Sequence, residues 1–152
     1  MKDTTYSDAQ HLAERVRDTM YATDKAAHAL GMEVSAISPG HASVTMTVRE
    51  DMLNGFGICQ GGIIATLADM AFAYACNSYN ELTVASGFDV DLLGPGKLGD
   101  QLTASGRVVS QGSRMGVYDI EVTNQGGERI AVFRGRSYRM KGRPTVAPQA
   151  AG

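Results

Sequence analysis

Residues 58–76 read ICQGGIIATLADMAFAYAC, and Asp69 is their one charged side chain. Over that length the composition is that of a helix buried on every side. A carboxylate taken out of water without a partner shifts its pKa upward or must be paired. No Lys, Arg or His stands on the segment to pair with Asp69. Two readings follow. Asp69 lies on a solvent-facing edge or is held by backbone hydrogen bonds, or it is a catalytic acid, base or nucleophile in a semi-apolar cleft.

The residues that open the helix, Cys59-Gln60-Gly61-Gly62, favour catalysis. A helix N-terminus carries unpaired N–H groups and a partial positive charge, and so can hold an anion or a developing oxyanion. Glycine there lets a substrate reach the backbone with no Cβ in the way. Tight packing at a loop-to-helix junction explains one glycine easily and two less well. Asp69 follows Gly61 by eight residues, roughly 12 Å along a helix axis. That is too far for both to act on one small group within a single chain. If both are catalytic, a second subunit brings its Asp69 to the first subunit's Gly61.

The 19 residues from Ile58 to Cys76 reach the lower end of membrane-spanning length. An aspartate at the centre of a span costs roughly 2.5–3.5 kcal/mol, and the rest of the chain reads as strands of a sheet, so a membrane role is rejected. The whole chain, 152 residues with net charge −2, is long enough for one domain, 1–152, with a core of its own. No basic cluster points to nucleic acid; the nearest group, Arg134, Arg136, Arg139, Lys141 and Arg143, is mostly solvated if it alternates on a strand. The N-terminus lacks the apolar core of a signal peptide. Cys59 and Cys76 do not suit a disulfide framework, and a reducing cytoplasm is expected. His11, His28 and His41 are scattered, so no metal is expected, and no cofactor is indicated.

Working outward, 7–30 reads as one N-terminal helix capped by Ser7, with Leu12, Val16 and Met20 on one face and Gly31 at its end. Met32–Ser38 and Ala42–Arg49 form a hairpin around Pro39-Gly40. The central helix spans 61–80. Thr83–Leu93 is a strand with Val84, Phe88, Val90 and Leu92 on one face, stopped by Gly94-Pro95-Gly96. Leu102–Ser110, Gly116–Asn124 and Arg129–Tyr138 are further strands, and 141–152 reads as a flexible tail. A helix this apolar beside an antiparallel sheet must be wrapped by it. The fold class is α+β, matching the hotdog fold, a curved antiparallel sheet around a long central helix.

From about Met20 to Tyr138 the sequence resembles the PaaI-type hotdog thioesterases of phenylacetate degradation. The residues that carry the resemblance are Met52-Leu53-Asn54-Gly55, Gly61-Gly62, Leu67-Ala68-Asp69 and Ala71-Phe72-Ala73-Tyr74-Ala75-Cys76-Asn77-Ser78. Pro95-Gly96, Gly99-Asp100, Gly116-Val117-Tyr118-Asp119-Ile120 and Val132-Phe133-Arg134-Gly135 continue it. The glycine pair and Asp spacing occur in many hotdog thioesterases, whereas AFAYACNS is specific to this branch.

The resemblance implies hydrolysis of an acyl-CoA, of phenylacetyl or hydroxyphenylacetyl type. The Gly61 N–H would polarise the thioester carbonyl, Asp69 of the partner subunit would be nucleophile or general base, and Asn54 would be a polar residue beside the carbonyl or attacking water. It also implies a dimer of dimers with active sites at the dimer interface. Gln60, Gly62 and Ala73 are candidate substrate contacts, and Ser113 and Arg114 candidate holders of the CoA phosphates. Two positions depart from the family. Gln60 stands where His is common and cannot titrate. Gly94 stands where relatives often carry Arg, removing a CoA phosphate contact. Cys76 reads as a buried core thiol, Asp24 as a helix-surface carboxylate, and Asp119 and Glu121 as exposed. Two other functions stay open, a non-catalytic acyl-CoA-binding protein and an acyl-CoA hydratase or dehydratase, for which His41 is the nearest histidine.

Overall fold

The computed structural model describes residues 3–148, with side chains from Asp8 onward. Helices α1 (Asp3–Ala22) and α2 (Lys25–Ala29) lead into strands β1 (Glu33–Ser38) and β2 (His41–Thr47). A short 3-10 turn at Glu50–Met52 precedes α3 (Gly61–Asn77), and β3 (Thr83–Leu92), β4 (Gln101–Gln111), β5 (Met115–Thr123) and β6 (Arg129–Arg139) follow. The strands make one antiparallel sheet in the order β1-β2-β4-β5-β6-β3. Its inner face closes on α3. Val44, Met46, Leu102, Tyr118, Ile120 and Phe133 alternate inward and bury Leu67, Ala68, Ala71 and Phe72 against them. At Gly135 the contact is so close that a Cβ would lie 2.8 Å from the Phe72 ring. This is the expected sheet wrapped around a central helix.

Four expectations need correction. The 7–30 helix is two helices, because Asp24 stops α1 and caps α2, its Oδ1 accepting from Ala27 N at 3.1 Å. Its other oxygen accepts the Tyr74 hydroxyl at 3.0 Å, tying the helical pair to α3. Because α1 already runs from Asp3, Ser7 is internal to it. The central helix ends at Asn77, where its side chain turns to bond Thr83 N and O and leaves the chain free to bend. A bulge between Ala85 and Gly87 in β3 shifts the register. Val84 therefore pairs with Tyr138 and faces outward, opposite to Phe88, Val90 and Leu92.

The fourth correction concerns 141–152. The tail is pinned at Thr145 and Val146: Thr145 Oγ1 donates to Asn77 Oδ1 at 2.8 Å, Val146 N donates to Asn80 Oδ1 at 2.9 Å, and Val146 is buried. Residues 149–152 lie outside the described part. The outer face of the sheet is charged, with Arg134 bidentate on Asp119 at 2.7 and 2.8 Å and Arg136 on Asp89 at 2.7 Å. Asp119 and Glu121 point outward as expected, though both are ion-paired and only half exposed.

Candidate active site

The approach to α3 is a small hairpin. Gln60 N donates to Met52 O and Asn54 N to Ile58 O, both at 2.8 Å, with Leu53 bridged to Cys59 between them. The Asn54 side-chain oxygen accepts from Phe56 N at 2.9 Å and Ile58 N at 3.3 Å, so it fixes the Gly55-Phe56-Gly57 tip. Only its amide NH2 remains to meet a substrate. Cys59 N is held by Gly96 O at 2.8 Å. The start of α3 is therefore anchored on two sides.

Gln60 is the N-cap residue, and its side chain makes no capping bond and is exposed. Among the described residues, the N–H groups of Gly61 and Gly62 have no acceptor. The two glycines differ. A Cβ on Gly61 would fall 2.5 Å from Leu92 Cδ1 on β3, whereas one on Gly62 would meet nothing within 4 Å. Packing accounts for Gly61, and Gly62 faces open space. The arrangement offers two free donors and the positive end of a helix dipole at a surface a carbonyl can reach.

Asp69 lies two turns on. Contrary to the sequence expectation, α3 is not covered all round: Gly62, Thr66, Asp69 and Ala73, spaced by four, three and four, form an open stripe. Asp69 is half-buried on that stripe. Burial raises its pKa above the ordinary carboxylate range, and no cation lowers it. Ala73 lies one turn further along the same stripe. Cys76 is buried, its thiol pushed up to about 12 chiefly by desolvation, which makes it an inert core thiol. His41 stands on the outer face, alternating with buried Ala42, and so on the opposite side of the sheet from α3. No acid–histidine pair for a hydratase forms with Asp69 within the chain.

Ser113 and Arg114 sit in the exposed β4–β5 turn, toward the C-terminal end of α3. Ser113 lines a cleft of about 600 Å³ with Asn80, Glu81, Arg139, Lys141, Arg143 and Pro144. Arg114 borders it, its guanidinium 5.9 Å from the Tyr138 ring centroid. Alternation on a strand would leave most of the basic residues after Phe133 solvated. The structure divides them: Arg134 and Arg136 are ion-paired on the outer face, Arg139 is nearly buried beside Glu81 with its Nε 3.6 Å from the carboxylate, and Lys141 and Arg143 lie with them at this cleft. The signal is the change of parity at the end of β6, from positions 134 and 136 to 139, 141 and 143. A larger concavity, about 720 Å³, lies on the ion-paired outer face and holds neither Asp69 nor Gly61. Gly94 has room for a Cβ, its nearest neighbour being Arg129 O at 3.5 Å, so packing does not demand glycine there. No group of three or more His, Cys, Asp or Glu gathers among the described residues to hold a metal, and no helix among them is long and apolar enough to cross a membrane.

The wrapped helix, the free N–H groups at its start and the lone desolvated carboxylate all fall within residues 56–131, which the sequence profile of the thioesterase superfamily matches. The chain belongs to that superfamily. Its likeness there is to PaaI: it is 48% identical over 132 residues to the acyl-coenzyme A thioesterase PaaI of Escherichia coli K12, covering 87% of this chain and 94% of that protein. The solved E. coli PaaI, from the phenylacetic acid degradation operon, superposes with a TM-score of 0.86 over 88% of this chain and 97% of that one, again at 48% identity. A Streptococcus mutans protein solved bound to acetyl-CoA superposes with a TM-score of 0.71 at 31% identity, over 74% of this chain and 90% of that one.

Proposed function

We propose that the chain hydrolyses acyl-CoA thioesters of the arylacetyl class, phenylacetyl-CoA or hydroxyphenylacetyl-CoA, in phenylacetate degradation, at sites built from two subunits. The observation that carries this reading is the pairing of free Gly61 and Gly62 N–H groups with a half-buried Asp69 whose pKa is raised by desolvation alone. The N–H groups hold the thioester carbonyl and the oxyanion formed from it. Asp69 of the partner subunit acts as nucleophile or as the base that deprotonates water. If Asp69 activates water, the tetrahedral intermediate expels CoA thiolate and the carboxylic acid leaves. If Asp69 attacks, expulsion of CoA thiolate leaves an acyl-Asp69 anhydride, which water then hydrolyses to the acid and the free carboxylate. Gln60 and the Asn54 amide are placed to donate to the carbonyl or the attacking water.

The two-subunit site rests on three features of the single chain. Gly61 and Asp69 are eight residues apart on one rigid helix, about 12 Å along its axis. The Asp69 stripe of α3 is uncovered. One edge of the sheet is β3, with Val84 and Leu92 exposed near its two ends, a surface that a second copy would cover. A dimer of such dimers is the assembly that goes with this reading. Lys141 and Arg143 of the cleft, with Ser113 and the neighbouring Arg114, are the groups this reading gives to the CoA phosphates, Arg139 being held by Glu81. From Asp69 to the end of α3 at Asn77 is another eight residues, about 12 Å. The pantetheine arm, as long as roughly four extended residues or about 14 Å, spans that distance. A non-catalytic binder would have no use for a carboxylate held desolvated beside free donors. The reading places the enzyme in the cytoplasm, where Cys59 and Cys76 stay reduced.

Subunit mixing tests the shared site. Asp69→Ala and Gly61→Val are each expected to abolish phenylacetyl-CoA hydrolysis alone and to regain part of it in mixed dimers. A fully active monomer, or mixed dimers that recover nothing, would overturn the shared site.

A further inference from the structure

Four rings run in line across the molecule. Tyr118, Phe72, Phe133 and Phe88 follow one another at centroid separations of 5.6, 5.9 and 4.7 Å. The first three are buried, whereas Phe88 is 42% exposed. Phe133 stacks on Phe88 at an interplanar angle of 28°, and the rest of the Phe88 ring is bare. Within the single chain the array therefore ends at a partly exposed aromatic ring. β3 is the edge strand, so no further strand of this chain covers that surface.

The register of β3 sets this ring at the level of the α3 turn that carries Asp69 and Phe72. Phe88 pairs with Gly135, the position against which the Phe72 ring packs. Phe72 follows Asp69 by three residues, about 4.5 Å along the helix axis. Phe88, Val90 and Leu92 share the inner side of β3, and Leu92 touches the Gly61 backbone at the other end of the row. The inner row of β3 thus accompanies α3 from its free N–H groups past Asp69. An acyl group whose carbonyl is attacked by Asp69 has its substituent within reach of Phe88 of the same subunit.

We propose that Phe88 is a specificity-determining residue that selects aromatic acyl groups by offering its open ring as a stacking platform beside Asp69. In an arylacetyl thioester one methylene separates the ring from the carbonyl, which lets the ring lie flat on Phe88 while the carbonyl remains at the site. A linear acyl chain gains only apolar contact there. Stacked or edge-to-face rings interact beyond the area they bury, and that increment is what discriminates the two substrates. The inference rests on the arylacetyl-CoA reading and adds the residue that recognises the aryl group.

The test compares phenylacetyl-CoA with hexanoyl-CoA on wild type, Phe88→Ala and Phe88→Leu. In Phe88→Ala, kcat/KM for phenylacetyl-CoA falls about three- to tenfold, through KM, with hexanoyl-CoA changed less than about twofold. Phe88→Leu, which keeps most of the apolar volume, retains hexanoyl turnover and loses the aryl preference. Equal losses for the two thioesters would overturn the proposal and make Phe88 a subunit contact. If Phe88→Ala fails to assemble by light scattering, Phe88→Leu decides, and an undiminished aryl preference in it overturns the proposal. If wild type hydrolyses neither thioester, the catalytic reading fails by itself. Calorimetric binding of the two thioesters then reads the aryl preference, and an equal ratio in wild type and Phe88→Leu refutes the role of Phe88.

Discussion

The two ends of α3 are built on opposite terms. At the C-terminal end Asn77 Nδ2 donates to Ala73 O and Thr83 O, and its Oδ1 accepts from Thr83 N and Thr145 Oγ1. Ser78 Oγ donates to Ala75 O and accepts from Gly40 N, both at 2.7 Å. At the N-terminal end Gln60 caps nothing, and the Gly61 and Gly62 N–H groups are without acceptors among the described residues. A helix of this hydrophobicity could bury both ends. One is closed with side chains because orphaned groups there would be cut off from water. The other stays open to something from outside the chain. The difference separates what makes α3 stable from what makes it useful, although one sequence encodes both within 17 residues.

The strongest way to break that division is at Asp69, midway between the ends. Asp69→Asn is expected to cut turnover by at least roughly two orders of magnitude while preserving shape. The wild-type rate should rise with pH through a pKa above the ordinary carboxylate range, because the ionised form reacts and burial delays ionisation. For an aspartate with a raised folded pKa, the unfolded chain ionises first as pH rises. Stability is therefore lost between the unfolded and folded pKa values, and the variant is spared that loss. Above that window Asp69→Asn should be as stable as wild type or more so in denaturant titrations. A variant that keeps most of its rate would remove Asp69 from the chemistry.

Asn77→Ala strikes the closed end. Four bonds are lost, and Thr83 N and O are left unsatisfied in the interior, so stability should fall by about 2–3 kcal/mol. Turnover per folded subunit should hold. A large fall in kcat without a fall in melting temperature would blur the separation between the two ends.

Gln60 gives the smallest and sharpest effect, since it lies at the open end and its side chain makes no capping bond. If it donates to substrate, Gln60→Ala should slow turnover about three- to twelvefold, the scale of one neutral hydrogen bond. Gln60→His should then be near neutral. A faster Gln60→His enzyme with a new titration near pH ~6–7 would show that the family histidine acts through its proton. Rates unmoved by either change would reduce position 60 to loop shape.

What could be read in the sequence was what depends on neighbours in the chain. The apolar run with a single Asp69, the glycine pair and the Pro39-Gly40 and Gly94-Pro95-Gly96 turns located the central helix and the strands within a few residues. The break at Thr23-Asp24 also had a local signal, an aspartate in the right place to cap Lys25–Ala29, but continuous helical periodicity overrode it. The packing of Thr145 and Val146 on Asn77 and Asn80 had none, because those partners are 68 and 66 residues apart. Within the candidate site, Gly61 and Asp69 are marked by composition and spacing, and Gln60 by the family resemblance. The Phe88 platform and the cleft of Arg139, Lys141 and Arg143 depend on register and on meetings between distant strands. The open stripe on α3 was hidden for a related reason: an apolar face shows that something covers it, and not which chain does so.

The extra residue at Ser86 imposes a parity on chain length. Its hydroxyl donates to Arg136 O, and the register steps by one across it. Removing one residue between Thr83 and Gly87 would restore an unbroken alternation, so one side of the bulge would have to turn over. Thr83 is clamped by Asn77, while Phe88 and Leu92 are committed to Phe133 and Gly61. Neither side can invert without loss. Lineages descended from this chain can therefore exchange residues here one for one, but a single gain or loss of length must be matched by a second within the same short strand.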